Sequence, residues 1–161
     1  MLTSCLNTQE NISKNINSLI ACDIEKNNSY LYSYLNLKTF IPSGSPIAFL
    51  HTPKDTLSNI LVKHNGIFSI MDSGIYMINY NILVDDIYMN SFVRFALYLD
   101  NKKVDGSDLY ISSSINSSSN SILLKINSNQ DLCLKALDNV SIHPPINGVR
   151  IGSISIVKIS N

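Results

Sequence analysis

A change of period constrains this chain more than any other feature. Near 38–46 the spacing of apolar residues switches from three and four to two, and Pro42, Gly44 and Pro46 punctuate the switch. Beyond it, short apolar or alternating runs recur at 47–51, 60–63, 67–71, 75–84, 92–99, 109–113, 121–126, 132–137 and 149–159. Turn signals separate them, among them His64-Asn65-Gly66, Asp72-Ser73-Gly74, Asp100-Asn101-Lys102, Asn127-Ser128-Asn129 and Pro144-Pro145. Strands this short and this closely spaced, with no crossover helix between them, predict an all-β antiparallel two-sheet fold, a sandwich or a jelly roll. The length of 161 residues suits one such domain with a short appendage, and it needs neither metal nor disulfide to bury a core.

The appendage lies before the switch. Ile12, Ile16, Leu19, Ile20 and Ile24 share one face at helical spacing, with Thr8 placed to cap it. A helix is expected over 9–24, running on towards residue 36 through Leu31, Tyr34 and Leu35. The chain therefore divides into an N-terminal helical segment and linker, 1–40, and a β domain, 41–161. The helix either packs on the domain or forms an oligomerising stalk, although Asp23, Lys26 and Asn27 break the heptad.

Charge excludes several functions. Twelve Lys+Arg balance twelve Asp+Glu and no basic cluster occurs, so a nucleic-acid partner is not expected. The longest apolar stretch is interrupted by Asn79 and Asn81, which argues against membrane insertion. The start lacks a basic segment followed by an apolar one, so it does not read as a secretory signal. Cys5, Cys22 and Cys133 have no paired spacing and read as free thiols, with a cross-link through Cys5 or Cys22 as the alternative.

Catalytic chemistry finds no foothold either. His51, His64 and His143 are isolated, no Gly-x-Ser-x-Gly elbow occurs, and His51 with Asp55 is at most a loop pair. Asp85-Asp86 and Asp105-x2-Asp108 supply too few oxygens alone for Ca2+. No enzyme activity, metal or cofactor is expected.

Alternation assigns faces within the longest strand. Tyr76, Ile78, Tyr80, Ile82 and Val84 share one side, while Ile75, Met77, Asn79, Asn81 and Leu83 share the other. Val93, Phe95, Leu97 and Leu99 point inward from the next strand, and Ile122, Leu124 and Ile126 are expected to face Leu132, Leu134 and Ala136 in a neighbouring pair. A strand apolar on both sides exceeds what one two-layer sandwich can cover. A neighbouring copy is expected over Ile75, Met77 and Leu83.

The run Leu61-x6-Phe68-x5-Gly74-Ile75-Tyr76-Met77-Ile78-Asn79-Tyr80 resembles the signature of C1q domains, and its Gly-aliphatic-Tyr core resembles that of the tumour necrosis factor superfamily. Ile78 stands where Phe is usual, Thr56 where C1q domains carry Asn or Asp, and Asn81 where tumour necrosis factors carry Gln. The segment 129–134 is similar to the Gly-Asp-x-Val-x-Leu segment that opens a late strand in these domains, and the closing run 154–159 resembles the end of bacterial members, the C-terminal domains of collagen-like spore-surface glycoproteins. No Gly-X-Y repeat precedes the domain here. The resemblance implies a structural signature of Leu61, Phe68, Gly74, Tyr76, Ile78 and Tyr80, and assembly as a homotrimer. It further implies a non-enzymatic head on a spore or cell surface that meets a surface receptor or other spore-layer proteins. A secreted or phage-borne receptor-binding trimer is the alternative. The spore surface fits deposition from the mother-cell cytoplasm.

Overall fold

The computed structural model describes residues 29–53, 59–83, 92–112, 115–142 and 150–160. Twelve strands account for most of them: β1 (Tyr30–Leu35), β2 (Thr39–Ile41), β3 (Ile60–Lys63), β4 (Ile67–Ile70), β5 (Gly74–Leu83), β6 (Phe92–Leu99), β7 (Lys102–Lys103), β8 (Leu109–Ser112), β9 (Ser117–Ile126), β10 (Gln130–Ala136), β11 (Val140–Ile142) and β12 (Gly152–Ser160). They form a four-stranded sheet in the order β1-β12-β5-β9, a six-stranded sheet built on β3-β4-β10-β6-β7 with β8 also on β6, and a small pair, β2 with β11. All pairings are antiparallel. The fold is the expected all-β jelly roll.

The core lies between the two large sheets. From the four-stranded sheet Leu31, Leu35, Tyr76, Ile78, Tyr80, Ile82, Ile154 and Ile156 point inward; from the other come Phe68, Ile70, Phe95, Leu97, Leu132 and Leu134. The alternation in β5 is complete, with Tyr76, Ile78, Tyr80 and Ile82 buried and the residues between them at or near the surface. Leu124 is partly buried against this core.

Turn chemistry places the corners. Asp100 and Asn101 both adopt positive φ, 46° and 64°, in the two-residue hairpin joining β6 to β7, the geometry that a right-twisted hairpin requires. Asn129 (φ 66°) ends the turn after β9. Gly66 is fixed twice over: its φ is +74°, and a Cβ there would lie 1.8 Å from the Ile47 carbonyl oxygen. Gly74 has another role than easing a turn. A Cβ on it would meet the Ser160 carbonyl oxygen at 2.5 Å and Lys158 Cε at 2.6 Å, so the glycine admits close approach of β12 and the folded-over lysine stem.

Three expectations need correction. The stretch 30–35 is strand, not the continuation of a helix, and it pairs along its whole length with β12. Leu31 and Leu35 stand four apart, a spacing that puts two residues on one side of a helix and of a strand alike. The β sheets thus begin before residue 41, and 30–40 is part of them rather than a linker; the expected helix over 9–24 lies outside the described residues. Second, 47–51 is not a strand: Pro46 bridges to Lys135 in one sheet and His51 to Tyr34 in the other, so the segment crosses between layers and plugs the core with Ile47 and Phe49. Third, β9 and β10 do not pair. β9 lies on β5 and β10 between β4 and β6, because the turn between them carries the chain from one sheet to the other.

Candidate functional site

The two sheets turn very different surfaces outward. On the six-stranded sheet charges are matched across strands. Lys63 Nζ sits 2.8 Å from Asp131, which also accepts from the Ser69 hydroxyl. Arg94 grips Asp138 through Nε and Nη2 at 3.0 and 2.9 Å, and Lys103 meets Asp108 at 2.6 Å. Lys135 lies 4.6 Å from the Tyr98 ring centre. The Lys63 and Ser69 hydrogen bonds hold the Asp131 carboxyl below its ordinary pKa, and the Arg94 fork does the same for Asp138. Leu61, Phe92 and Tyr110 are also exposed on this sheet, so its ion pairs rather than a lack of apolar groups set it apart.

The four-stranded sheet carries no ion pair on its outer side among the described residues. Its cross-strand register arranges that side in rows. Tyr34, Ser153, Asn81 and Ser119 form one row, and Tyr32, Ser155, Asn79 and Ser121 form the next. Asn79 accepts from the Ser121 hydroxyl at 2.6 Å and donates to Ser155 Oγ at 3.3 Å; Asn81 donates to Ser153 Oγ at 2.9 Å. These amides and hydroxyls line a shallow open depression. Below them Tyr30, Val157, Met77 and Leu123 make an apolar row, extended by Ile75 and Ile159. Leu123 is 62 % exposed and Ile159 54 %. The face therefore carries few charges, Lys125 opposite Ile75 and Arg150 at the β1 edge, and is polar at one end and mostly apolar at the other.

At the β1 edge of this face stands Arg150. Its guanidinium lies 4.7 Å from the Tyr34 ring centre and 5.5 Å from that of Tyr32, and Nη1 donates to the Tyr32 hydroxyl at 3.0 Å. Tyr34 in turn stacks on His51 at 5.0 Å. Among the described residues, the buried imidazole Nε2 of His51 has no hydrogen-bond partner. Asp55, the acid paired with it in the sequence reading, lies outside the described residues.

The signature residues divide by depth. Phe68, Tyr76, Ile78 and Tyr80 are core, Gly74 is buried under β12, and Leu61 is exposed on the edge strand β3. Tyr76 donates to the Asp72 carbonyl at 2.8 Å and Tyr80 to the Ser107 carbonyl at 2.6 Å. Burial pushes both phenols up to about 12. Of the residues assigned to a subunit contact, Ile75 and Met77 lie on the outer face of the four-stranded sheet, Ile75 opposite Lys125, while Leu83 sits at its end and packs partly against the core. The Asn/Ser rows went unread in the sequence, although Asn79-x-Asn81, Ser119-x-Ser121 and Ser153-x-Ser155 share the strand period.

Among the described residues no group of three or more His, Cys, Asp or Glu is placed to hold a metal, and no helix is long and apolar enough to cross a membrane. Cys133 is a buried free thiol whose pKa burial raises; Cys5, Cys22, His143 and the Asp85-Asp86 pair lie outside the described residues.

Two antiparallel sheets in the orders β1-β12-β5-β9 and β3-β4-β10-β6-β7 make a jelly roll of the fold type seen in tumour necrosis factors and C1q domains. Solved structures share it. Eiger, a tumour necrosis factor from S. frugiperda, superposes with a TM-score of 0.61 at 14% identity over 83% of this chain and 92% of its own. Murine APRIL gives 0.59 at 13% identity, covering 82% of this chain and 99% of that one. The globular domain of the zebrafish complement 1qA protein gives 0.58 at 10% identity, covering 82% and 96%. No family model and no curated protein sequence matches the chain.

Proposed function

We propose that this chain is a non-enzymatic homotrimeric head domain of a bacterial spore or cell surface, with a structural or binding role. The contrast between the two outer faces carries the reading. A face laced with ion pairs is suited to water, whereas one with a row of exposed apolar side chains and an Asn/Ser ladder is suited to cover by protein. Copies arranged head to tail around a threefold axis cover it three times and close without a free end. Obligate contacts of this kind bury roughly 2,000 Å2 or more. The threefold number and the surface setting rest on the resemblance of the 61–80 signature and the 154–159 run to bacterial spore-surface heads.

Light scattering at micromolar concentration tests the assembly, and a monomeric mass would end the reading. Antibody labelling tests the setting. Label on intact spores or cells is the expected result, and label confined to the medium or to phage particles would favour the secreted receptor-binding alternative. A broad hydrolase screen should show no turnover that His51→Ala abolishes.

A further inference from the structure

We infer that Arg150 of one copy pairs with Asp105 of the next, and that this pair sets the order of the copies around the ring. The inference rests on the homotrimer proposed above. It starts from a count of partners.

The chain has two arginines. Arg94 has its carboxylate in Asp138, held by a two-point fork. Arg150 has none among the described residues, yet its guanidinium is held against two tyrosine rings and tied to one hydroxyl. A guanidinium fixed in this way loses little freedom when it meets a carboxylate, and among the described residues Nη1 alone has an acceptor, the Tyr32 hydroxyl.

The acids show the complementary gap. Among the described residues Asp72 accepts from Asn59, Asp100 from Gln130, Asp108 from Lys103, Asp131 from Lys63 and Asp138 from Arg94. Asp105 alone has no side-chain partner there. It is exposed on the turn between β7 and β8, beside Gly106 at φ +74°.

Position brings the two together. In a head-to-tail ring different patches of neighbouring copies meet, and the four-stranded sheet ends on one side at β1, where His51 already bridges Tyr34, and on the other at β9. Arg150 lies at the β1 edge on Tyr32 and Tyr34. The Asp105 turn is fastened to the β9 edge, because Asn120 Nδ2 donates to the Gly106 carbonyl at 3.0 Å. Asn120 stands between Ser119 and Ser121, the β9 ends of the rows that begin at Tyr34 and Tyr32. Arg150 thus lies by these rows on the outer side of the β1 edge, and the Asp105 turn is held beside the same rows at the β9 edge, from the inward side where Asn120 pairs with Tyr80; a head-to-tail ring sets such opposite edges of neighbouring copies against each other.

Charge exchange in the full chain is the test. Arg150→Asp and Asp105→Arg should each raise the protein concentration at which the trimer dissociates by ~10-fold or more, as close interfacial charge pairs do. The double exchange, Arg150→Asp with Asp105→Arg, should return it to within about twofold of the starting protein, since the opposite charges meet again. Sedimentation gives the mass, and circular dichroism confirms that each variant keeps its strands. A trimeric parent whose single variants are unchanged, or whose double exchange is no better than the worse single, overturns the pair alone. A monomeric parent overturns the trimer and the pair together.

Discussion

The Tyr80 hydroxyl reaches out of the four-stranded sheet and donates to the Ser107 carbonyl at 2.6 Å, inside the core. Ser107 passes the connection on: its Oγ accepts from the Leu97 amide at 3.0 Å and donates to the Val104 carbonyl at 2.6 Å. One tyrosine thus bolts β5 to β6 and to the turn that carries Asp105. Tyr80→Phe keeps the ring but strands a buried carbonyl, and should lower stability by about 1–2 kcal/mol in urea unfolding. Ser107→Ala, which deprives the Leu97 amide as well, should cost at least as much.

Alkaline pH should loosen the same region. Tyr76 and Tyr80 are raised from 10.0 to about 12, chiefly by burial. Below pH 10 both folded and unfolded phenols are neutral and the protein keeps its full stability. Between pH 10 and 12 the unfolded chain ionises first, so it binds fewer protons and stability falls as pH rises. The melting temperature should drop across that window, and the Tyr76→Phe, Tyr80→Phe double variant should show a shallower drop.

Gly74→Ala tests close approach rather than backbone freedom. The added methyl would stand 2.5 Å from the Ser160 carbonyl oxygen, which is backbone and cannot rotate away. A loss of about 1–3 kcal/mol is expected. Lys158→Ala in the same chain clears only the side-chain half of the clash and should recover little.

Met77→Lys and Ile78→Lys, adjacent in β5, separate assembly from folding. Met77 faces outward and Ile78 is fully buried. Met77→Lys should give folded protein of reduced mass by light scattering, because a charge is trapped at the proposed contact. Ile78→Lys should abolish the strand signal in circular dichroism. Unfolding by both substitutions would mean that the outer face belongs to the monomer's own core.

Much of this architecture is legible in the residues. Strict alternation names the inward set of β5, and Asp100-Asn101 and Asn129 mark corners because few other residues accept positive φ. Failures arise where a local pattern has two meanings. Leu31 and Leu35 satisfy both periods, and the short turn after β9 looks the same whether it joins paired strands or crosses between layers. The outer face escaped for another reason. Its rows assemble residues from β1, β12, β5 and β9, and only the register brings Tyr30, Val157, Met77 and Leu123 into line. Arg150 is plainer still: nothing in its neighbourhood in sequence announces Tyr32 or Tyr34.

The position of β12 between β1 and β5 has a consequence for synthesis. Its two neighbours emerge from the ribosome early and wait, with their facing edges open, until the last described strand arrives. Until then Leu31, Leu35 and the β5 interior have half a sheet to lie in, and a nascent chain is exposed to pairing with another copy's loose edge. A chain cut short before Gly152 therefore loses the keystone of the sheet, and its defect is stickiness rather than a missing tail.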